Sequence, residues 1–242
     1  MSVSFSTGSL YHMGLHRIFQ IAARAGFRDL ELMMRSYDDN AYADTYDSIY
    51  LKKLQKEFGL KITSLHTPID FESDAAEYYP VVKKLAKELK VKHIIFHIPR
   101  NKDVQAEYKS WFKKIYLEEM SDQPIPFITE NMGKKSIVNG AEEFNKFPGF
   151  CFDTAHELRD FDGKTLGTIL QIKNIQQFHL SNYDAHCHMD ILQNKKFFEE
   201  IIKAHPKANR CIELSPRAFP DPTDEAKIVK KLTETRIFLE SL

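Results

Sequence analysis

The sequence alternates eight times between a short apolar, β-branched or aromatic run and a longer segment of helical periodicity. This alternation is typical of parallel strands joined by right-handed helical crossovers. The chain has 242 residues, close to the roughly 250 of a single eight-stranded β/α barrel. We therefore predict an α/β fold, a (β/α)8 TIM barrel with a parallel eight-stranded core, as a single domain over residues 1–242.

The predicted strands are short, as buried parallel strands tend to be. They are Val3–Ser6, Asp29–Met33, Lys61–Leu65, His93–Phe96, Pro126–Thr129, Phe150–Phe152, Gln176–Phe178 and Arg210–Ile212. The predicted helices are Gly14–Ala25, Ser48–Phe58, Ala75–Leu89, Val104–Met120, Gly140–Lys146, Lys164–Lys173, Lys195–Ala204 and Asp224–Leu242. Gly26 and Gly59 follow two of these helices, where a left-handed residue often ends a helix, and Thr223 is the predicted N-cap of the last one.

Composition narrows the class of protein. The 34 basic residues balance the 34 acidic ones, so no net field attracts a polyanion. Cys151, Cys187 and Cys211 are odd in number and lack CxxC spacing, which favours free thiols in a reducing compartment over a disulfide framework. Because the sequence has neither a signal-peptide pattern nor a membrane-length apolar run, we expect a cytoplasmic protein with no membrane span.

A residue that can bind a metal ion directly follows each predicted strand from the third to the eighth. These residues are His66, His97, Glu130, Asp153, His179 and Glu213, separated by 31, 33, 23, 26 and 34 residues. Each separation is about one β/α unit, and the carboxyl ends of barrel strands meet on the face where TIM-barrel active sites lie. Chance does not readily produce six such residues in register, so the sequence predicts a metal site on that face.

The local sequences around these residues are SLHTP, IIFHIP, FITEN, CFDTAH, FHLSN and CIELSP. In this order they resemble the xylose-isomerase-like TIM barrel superfamily, which contains sugar and sugar phosphate isomerases and epimerases as well as endonuclease IV. The resemblance extends from about Phe5 to the C-terminus. Its specific parts are E-N after strand five, D-T-x-H after strand six and H-L-S after strand seven.

In the epimerase branch, the resemblance implies one divalent cation, Zn, Mn or Mg, held by Glu130, Asp153, His179 and Glu213. The implied reaction is proton transfer next to a metal-polarised carbonyl, with the two glutamates as base and acid on opposite sides of a sugar. His156 would hydrogen-bond a substrate oxygen, which makes it the third catalytic candidate. Because a bound cation lowers the proton affinity of a carboxylate, the base role requires that one oxygen stay free.

The endonuclease IV branch instead implies three zinc ions and more ligands. The D-x-H motif of that branch matches the loop after strand seven in two registers, Asp184-Ala185-His186 or His186-Cys187-His188, and both stay open. In the second register a histidine replaces the aspartate. The additional candidate ligands are His66, His97, His156, Asp184, His186 and His188. We expect one to two ions per chain.

Other features favour a small sugar over nucleic acid as the partner. The openings Ser6-Thr7-Gly8-Ser9-Leu10 and Leu30-Glu31-Leu32 look like those of sugar isomerases, and the residues after His66 lack the wedge with which the repair enzyme enters DNA. The loop after strand two carries Arg35 and four aspartates, which would repel phosphate. These aspartates are Asp38, Asp39, Asp44 and Asp47.

The candidate substrate-binding residues are Glu31, His66, His97 and Arg217. Glu31 would hold sugar hydroxyls near the mouth or make a structural hydrogen bond. Arg217 would bind a phosphate or carboxylate group, or be solvated. The helical spacing around Trp111 indicates core packing or the face of a homo-oligomer. Three functions remain: a metal-dependent isomerase or epimerase, which we favour, an endonuclease IV-like hydrolase, and a barrel that binds metal or ligand without turnover.

Overall fold

The computed structural model describes residues 3–34, 45–67, 75–97, 127–130, 141–145, 149–160 and 165–242. Its strands are β1 Val3–Ser6, β2 Asp29–Met33, β3 Lys61–His66, β4 His93–His97, β5 Phe127–Glu130, β6 Phe150–Asp153, β7 Ile175–Leu180, β8 Asn182–Asp184, β9 His186–Met189 and β10 Asn209–Ile212. Strands β1 to β7 and β10 close into a barrel in the order β1-β2-β3-β4-β5-β6-β7-β10, and every neighbouring pair is parallel. The predicted (β/α)8 fold class is therefore confirmed.

Helices connect these strands on the outside of the barrel. They are α1 Leu15–Arg24, α2 Ser48–Phe58, α3 Ala75–Leu89, α4 Ala141–Phe144, α5 Thr154–Asp160, α6 Thr165–Gln171, α7 Lys195–Ala204 and α8 Glu225–Glu240. Helix α5 was not predicted from the sequence. The predicted helix Val104–Met120, which contains Trp111, lies outside the described residues. Within the described ranges, no helix combines the length and apolarity needed to cross a bilayer.

Several strands end later than predicted, and this changes where the candidate ligands stand. His66, His97, Glu130 and Asp153 are the last residues of their strands, and His179 is the last but one of β7. Only Glu213 directly follows its strand, as predicted. Backbone pairing continues to these positions, because His97 pairs with Glu130 and Asp153 pairs with His179. Five of these six candidate ligands are thus held by paired barrel strands rather than by loops, and the Glu213 N–H donates to the Leu180 carbonyl of β7.

The strands alternate between the barrel interior and the helices. Outside β6, Phe150 and Phe152 pack in a row of rings with Phe144 and Phe178, at centroid distances of 4.5 to 6.3 Å. Ile95, Ile128 and Cys151 form a separate buried cluster. Each stands two residues before a candidate ligand at the end of β4, β5 or β6, and residues two apart share a face of a strand. These three side chains are therefore the apolar layer directly beneath the candidate ligands.

The helix ends agree with the sequence in part. Gly26 and Gly59 have φ values of +82° and +66°, the left-handed conformation predicted for them. The predicted N-cap Thr223 is wrong, because Asp224 caps α8 by accepting hydrogen bonds from the backbone N–H groups of Ala226 and Lys227. The Thr223 hydroxyl instead donates to Asp221 Oδ1. The Asp224 carboxylate can accept both backbone hydrogen bonds, whereas the Thr223 hydroxyl is already hydrogen-bonded to Asp221.

An antiparallel hairpin, β8 and β9, follows β7 where the sequence predicted only a loop. Its turn residue Ala185 has a φ of +54°. The hairpin is attached to the segment after β10, because the Ser215 N–H donates to the His188 carbonyl at 2.6 Å. Its polar, histidine-rich sequence carries little of the β-branched signal that marks a strand, which explains why it was missed.

Candidate metal centre

Four side chains from four neighbouring strands converge at the carboxyl end of the barrel. Glu130, Asp153 and His179 are fully buried and Glu213 is 8% exposed. Each residue offers one ligand atom, and these atoms all lie within 4.8 Å of one another. His179 Nδ1 is 3.2 Å from Glu130 Oε1 and 2.9 Å from Glu213 Oε2. We refer to these four residues as the four-ligand group.

Hydrogen bonding at this group is incomplete. Both carboxylate oxygens of Glu130, Glu213 Oε2 and His179 Nδ1 are buried, and although Nδ1 lies close to both glutamates, none of these atoms makes a hydrogen bond of suitable angle among the described residues. Buried polar atoms rarely lack a hydrogen-bond partner, because the free energy lost on their desolvation is then not recovered. Carboxylate oxygen and imidazole nitrogen are ligands that Zn²⁺, Mn²⁺ and Mg²⁺ accept. The four-ligand group therefore fits a divalent cation.

The pKa shifts of these groups show that the site favours positive charge. Burial opposes the charge on the carboxyls of Glu130 and Glu213, but the surrounding histidines, with His179 the strongest, together outweigh burial and lower the pKa of both carboxyls, that of Glu213 to about 2. Burial also opposes the charge on His66, yet Glu130 and Glu31 raise its pKa to about 10. Protonated histidines thus supply the positive charge that the carboxylates attract, and a divalent cation would serve the same purpose.

A second group of ligand atoms adjoins the first. His66 Nε2 is 3.1 Å from Glu130 Oε2, and His97 Nε2 is 3.7 Å from the same oxygen. The two Nε2 atoms are 3.2 Å apart. Burial lowers the pKa of His97 to about 3, so its imidazole is neutral and can donate a lone pair to a metal. Glu130 is therefore placed to share its two oxygens between both groups.

A third group lies on the other side of the four-ligand group. Asp153, His156 and His188 bring ligand atoms within 4.8 Å of one another. Asp153 Oδ1 is 3.8 Å from His156 Nδ1, and Asp153 Oδ2 is 3.7 Å from His188 Nδ1. The same Oδ1 accepts a 2.7 Å hydrogen bond from the His156 backbone N–H. This bond forms the first turn of α5, which explains why the D-T-x-H spacing brings His156 beside Asp153.

The hairpin decides between the two registers of the D-x-H motif. His188 faces Asp153, whereas Asp184 and His186 are exposed. Among the described residues, Asp184 and His186 belong to no group of converging ligand atoms, so their role as additional ligands stays a prediction. His186 Nδ1 instead lies 3.1 Å from Nη1 of Arg217, which is also exposed. His188 has a φ of +61°, and this breaks the alternation that would otherwise place His186 and His188 on the same face.

Glu31 is not at the mouth of the barrel, where a substrate would meet it. Its side chain is 0% exposed and lies against His179, with Nε2 of that histidine 3.0 Å from Glu31 Oε1. Ser64 and Gln177 also donate to its carboxylate. Of the two roles left open by the sequence, the structure supports the structural hydrogen bond. The sequence analysis did not identify Ser64 and Gln177, although each stands two residues before a candidate ligand and so shares its face.

His66 and His97 were also predicted to bind substrate. Both are buried, at 1% and 6% exposed, and both face Glu130. Their Nε2 atoms point at the Glu130 carboxylate rather than at solvent, so the structure favours their candidate role as ligands over direct substrate contact. Of the charged residues singled out in the loop after β2, only Asp47 is described, and it caps α2 by accepting from the backbone N–H groups of Ile49 and Tyr50. Arg35, Asp38, Asp39 and Asp44 lie outside the described residues.

Comparison by sequence finds no matching protein-family model and no matching curated protein. Comparison by structure finds solved proteins of the same fold. A xylose isomerase domain containing protein from Salmonella typhimurium LT2 is 13% identical, with a TM-score of 0.68, over 99% of this chain and 97% of that one. The 3-keto-D-glucoside 4-epimerase of E. coli is 12% identical, with a TM-score of 0.69, and each chain is covered completely.

An AP endonuclease of family 2 from Brucella melitensis is also similar. It is 12% identical, with a TM-score of 0.68, over 94% of this chain and 97% of that one. The three proteins carry names from both branches that the sequence resembles. At these identities the likeness concerns the path of the chain and not the reaction. The protein therefore has the fold of the xylose isomerase-like TIM barrels.

Proposed function

We propose that this protein is a divalent-metal-dependent isomerase or epimerase of a small sugar or sugar phosphate. The four-ligand group is the observation that carries this proposal. Glu130 on β5 and Glu213 after β10 come from the two outer strands of the four that form the group. A substrate at the centre of the group would therefore have a glutamate on either side. The sugar epimerase among the structural neighbours supports the same substrate class.

The chemistry of the proposed reaction is proton transfer. A divalent ion held by the four-ligand group would polarise a substrate carbonyl and acidify the neighbouring C–H bond. Glu130 and Glu213 would remove and return the proton, each on its own side of the substrate. Glu130 directs Oε1 toward His179 and Oε2 toward His66, so its role as base requires that His66 leave Oε2 to the substrate. His156, which is largely buried beside Asp153, would hydrogen-bond a substrate oxygen.

Arg217 extends the proposed site toward solvent. It is exposed and lies beside His186 at the tip of the hairpin that carries His188. Two adjacent cationic or polar nitrogen groups near the mouth are suited to the phosphate or carboxylate of a substrate. We therefore include Arg217 as the substrate-binding residue of the proposal.

The decisive experiment measures proton exchange. Protein loaded with Mn²⁺, Zn²⁺ or Mg²⁺ is incubated in deuterated water with a panel of ketoses and ketose phosphates, and loss of the C–H signal next to the carbonyl is followed by NMR. We expect exchange with at least one substrate, dependence on the metal and abolition by a chelator. Elemental analysis should find one to two ions per chain. No exchange across the panel with metal-loaded protein would contradict the proposal.

A second candidate function is hydrolysis of a phosphodiester at an abasic site. It is favoured by one observation, that the groups around His66 and His188 adjoin the four-ligand group and share Glu130 and Asp153 with it. Three zinc ions per chain, together with cleavage of an abasic duplex, would establish this function in place of the first. Metal binding with neither exchange nor cleavage would indicate the non-catalytic barrel.

A further inference from the structure

Glu31 is a charged side chain in the barrel interior that the proposed reaction does not use. It is on β2, whereas His179 is on β7, and two other strands, β1 and β10, separate them around the barrel. Their contact therefore crosses the interior. His179 Nε2 lies 3.0 Å from Glu31 Oε1 and 3.1 Å from Oε2.

The two nitrogens of His179 thus face different partners. Nε2 faces Glu31, and Nδ1 faces Glu130 and Glu213 in the four-ligand group. A carboxylate only accepts hydrogen bonds, so without an ion both nitrogens are placed to carry a proton. An ion bound at Nδ1 takes the place of the proton there and leaves the proton on Nε2, toward Glu31. When Nε2 carries the proton of a neutral imidazole, Nδ1 keeps its lone pair and can bind a metal ion.

Other side chains hold Glu31 in this position. Ser64 Oγ donates to Oε2 at 3.0 Å and Gln177 Nε2 donates to it at 2.6 Å. The Gln177 amide is itself oriented, because its Oε1 lies 2.8 Å from Nε2 of the buried His93. The carboxylate therefore has little freedom to turn away from His179.

We propose that Glu31 is a positioning residue, which sets the tautomer and ring orientation of His179 and thereby the affinity of the four-ligand group for a divalent ion. A carboxylate behind a metal-binding histidine fixes the ring and raises the basicity of the ligand nitrogen. This inference rests on the proposed function only in requiring that the four-ligand group bind a divalent ion.

The first test uses the wild-type protein. Nitrogen-15 NMR of the zinc-loaded protein distinguishes the two ring nitrogens of His179 by their chemical shifts and proton couplings. We expect a proton on Nε2 and a metal-bound Nδ1. A proton on Nδ1, with Nε2 bound to the metal, would overturn the inference.

The second test compares two matched substitutions. Glu31→Gln keeps the shape of the side chain but removes the carboxylate, and we expect Co²⁺ affinity to fall by about 10- to 100-fold, with an altered visible spectrum of the bound ion. Glu57→Gln is the control, because Glu57 makes an exposed 2.9 Å contact with His16 Nε2 on the outer helices. This control should bind Co²⁺ like the wild type. Unchanged affinity in Glu31→Gln would overturn the inference.

A milder variant serves if Glu31→Gln does not fold. Ser64→Ala removes one donor to Glu31 and leaves its contact with His179, so we expect a smaller loss of Co²⁺ affinity and a shifted His179 Nε2–H resonance. If Ser64→Ala changes neither the Co²⁺ affinity nor the His179 Nε2–H resonance, the orientation of Glu31 does not control metal binding. A wild-type protein that binds no Co²⁺, Zn²⁺ or Mn²⁺ would overturn the proposed function and this inference together. Tight binding that is equal in wild type and Glu31→Gln would contradict the inference alone.

Discussion

Glu130 and Glu213 both approach His179, but they differ in what else they contact. Glu130 directs its second oxygen to His66 and so belongs to two groups of candidate ligands. The ion pair of Glu213 is with His179 alone among the described residues. Loss of Glu130 would therefore disturb two groups at once, whereas a change at Glu213 tests the four-ligand group more selectively.

Glu213→Gln keeps the size of the side chain and removes its proton-accepting oxygen. We expect the metal-dependent exchange rate to fall by at least about 100-fold, the usual contribution of a general acid or base. Circular dichroism should show an intact fold. Glu234→Gln, on the exposed face of α8, is the control and should exchange at the wild-type rate. An unchanged rate in Glu213→Gln would exclude the proposed mechanism.

Arg217→Ala tests the anionic part of the proposed substrate. We expect KM for a ketose phosphate to rise about 10-fold, which corresponds to the loss of one charge-assisted hydrogen bond. The KM for the neutral ketose should not change. Arg28→Ala is the control, because Arg28 is exposed just before β2 and so lies at the opposite end of the barrel. Equal effects of Arg217→Ala on both substrates would show that this arginine does not bind an anionic group.

At the scale of elements, helix α2 depends on a residue to which the sequence analysis assigned a different role. Asp47 was counted among the acidic residues that repel phosphate, but its side chain caps α2. We expect Asp47→Ala to lower the free energy of unfolding by about 1 kcal/mol, whereas Asp47→Asn, which can still cap, should cost much less. Urea denaturation measures both. Equal losses would mean that the charge, and not the capping hydrogen bonds, stabilises the helix.

An ion pair joins α8 to Asp190, the residue directly after the hairpin that carries His188. Lys231 Nζ lies 2.6 Å from Asp190 Oδ2, and both side chains are mostly buried. We expect Lys231→Met to lower the free energy of unfolding by about 1.5 kcal/mol, the contribution of a hydrogen bond between charged groups. The neighbouring, exposed Lys230→Met should have little effect in the same thermal melt. If the two variants melt alike, the hairpin does not depend on this contact.

At the scale of the whole molecule, a bound ion should stabilise the barrel. The four-ligand group joins β5, β6, β7 and the end of β10, so an ion held there links four of the eight strands. An ion present at 100 times its Kd should raise the free energy of unfolding by about 2.7 kcal/mol. Calorimetry with and without a chelator measures the change. In Asp153→Asn, most of this metal-dependent stabilisation should be lost. If the melting temperature of the wild type is the same with and without the metal, the assignment of the site is contradicted.

The sequence predicted the strands well because their signal is local. Every barrel strand was predicted to within two residues at either end, since apolar runs and turn residues follow from the residues themselves. Helix α5 was missed although its N-terminal signal is also local, because the sequence analysis considered Asp153 only as a ligand and not as the residue whose carboxylate accepts from the His156 N–H. The N-cap of α8 was misplaced by one residue, because the hydroxyl of Thr223 is engaged by Asp221. That the chain forms one domain over residues 1–242 stays a prediction.

The sequence by itself determines the barrel and the six positions from His66 to Glu213 that bring ligand-type side chains to one end of it. Strand period and spacing decide which face and which end of the barrel a residue occupies, and both can be counted along the chain. Only the tertiary structure decides that His188 rather than His186 faces Asp153, and that Glu31 stands behind His179. The latter two residues are 148 positions apart in sequence. Their contact exists only because the barrel closes, and no local pattern encodes which side chains meet across its interior.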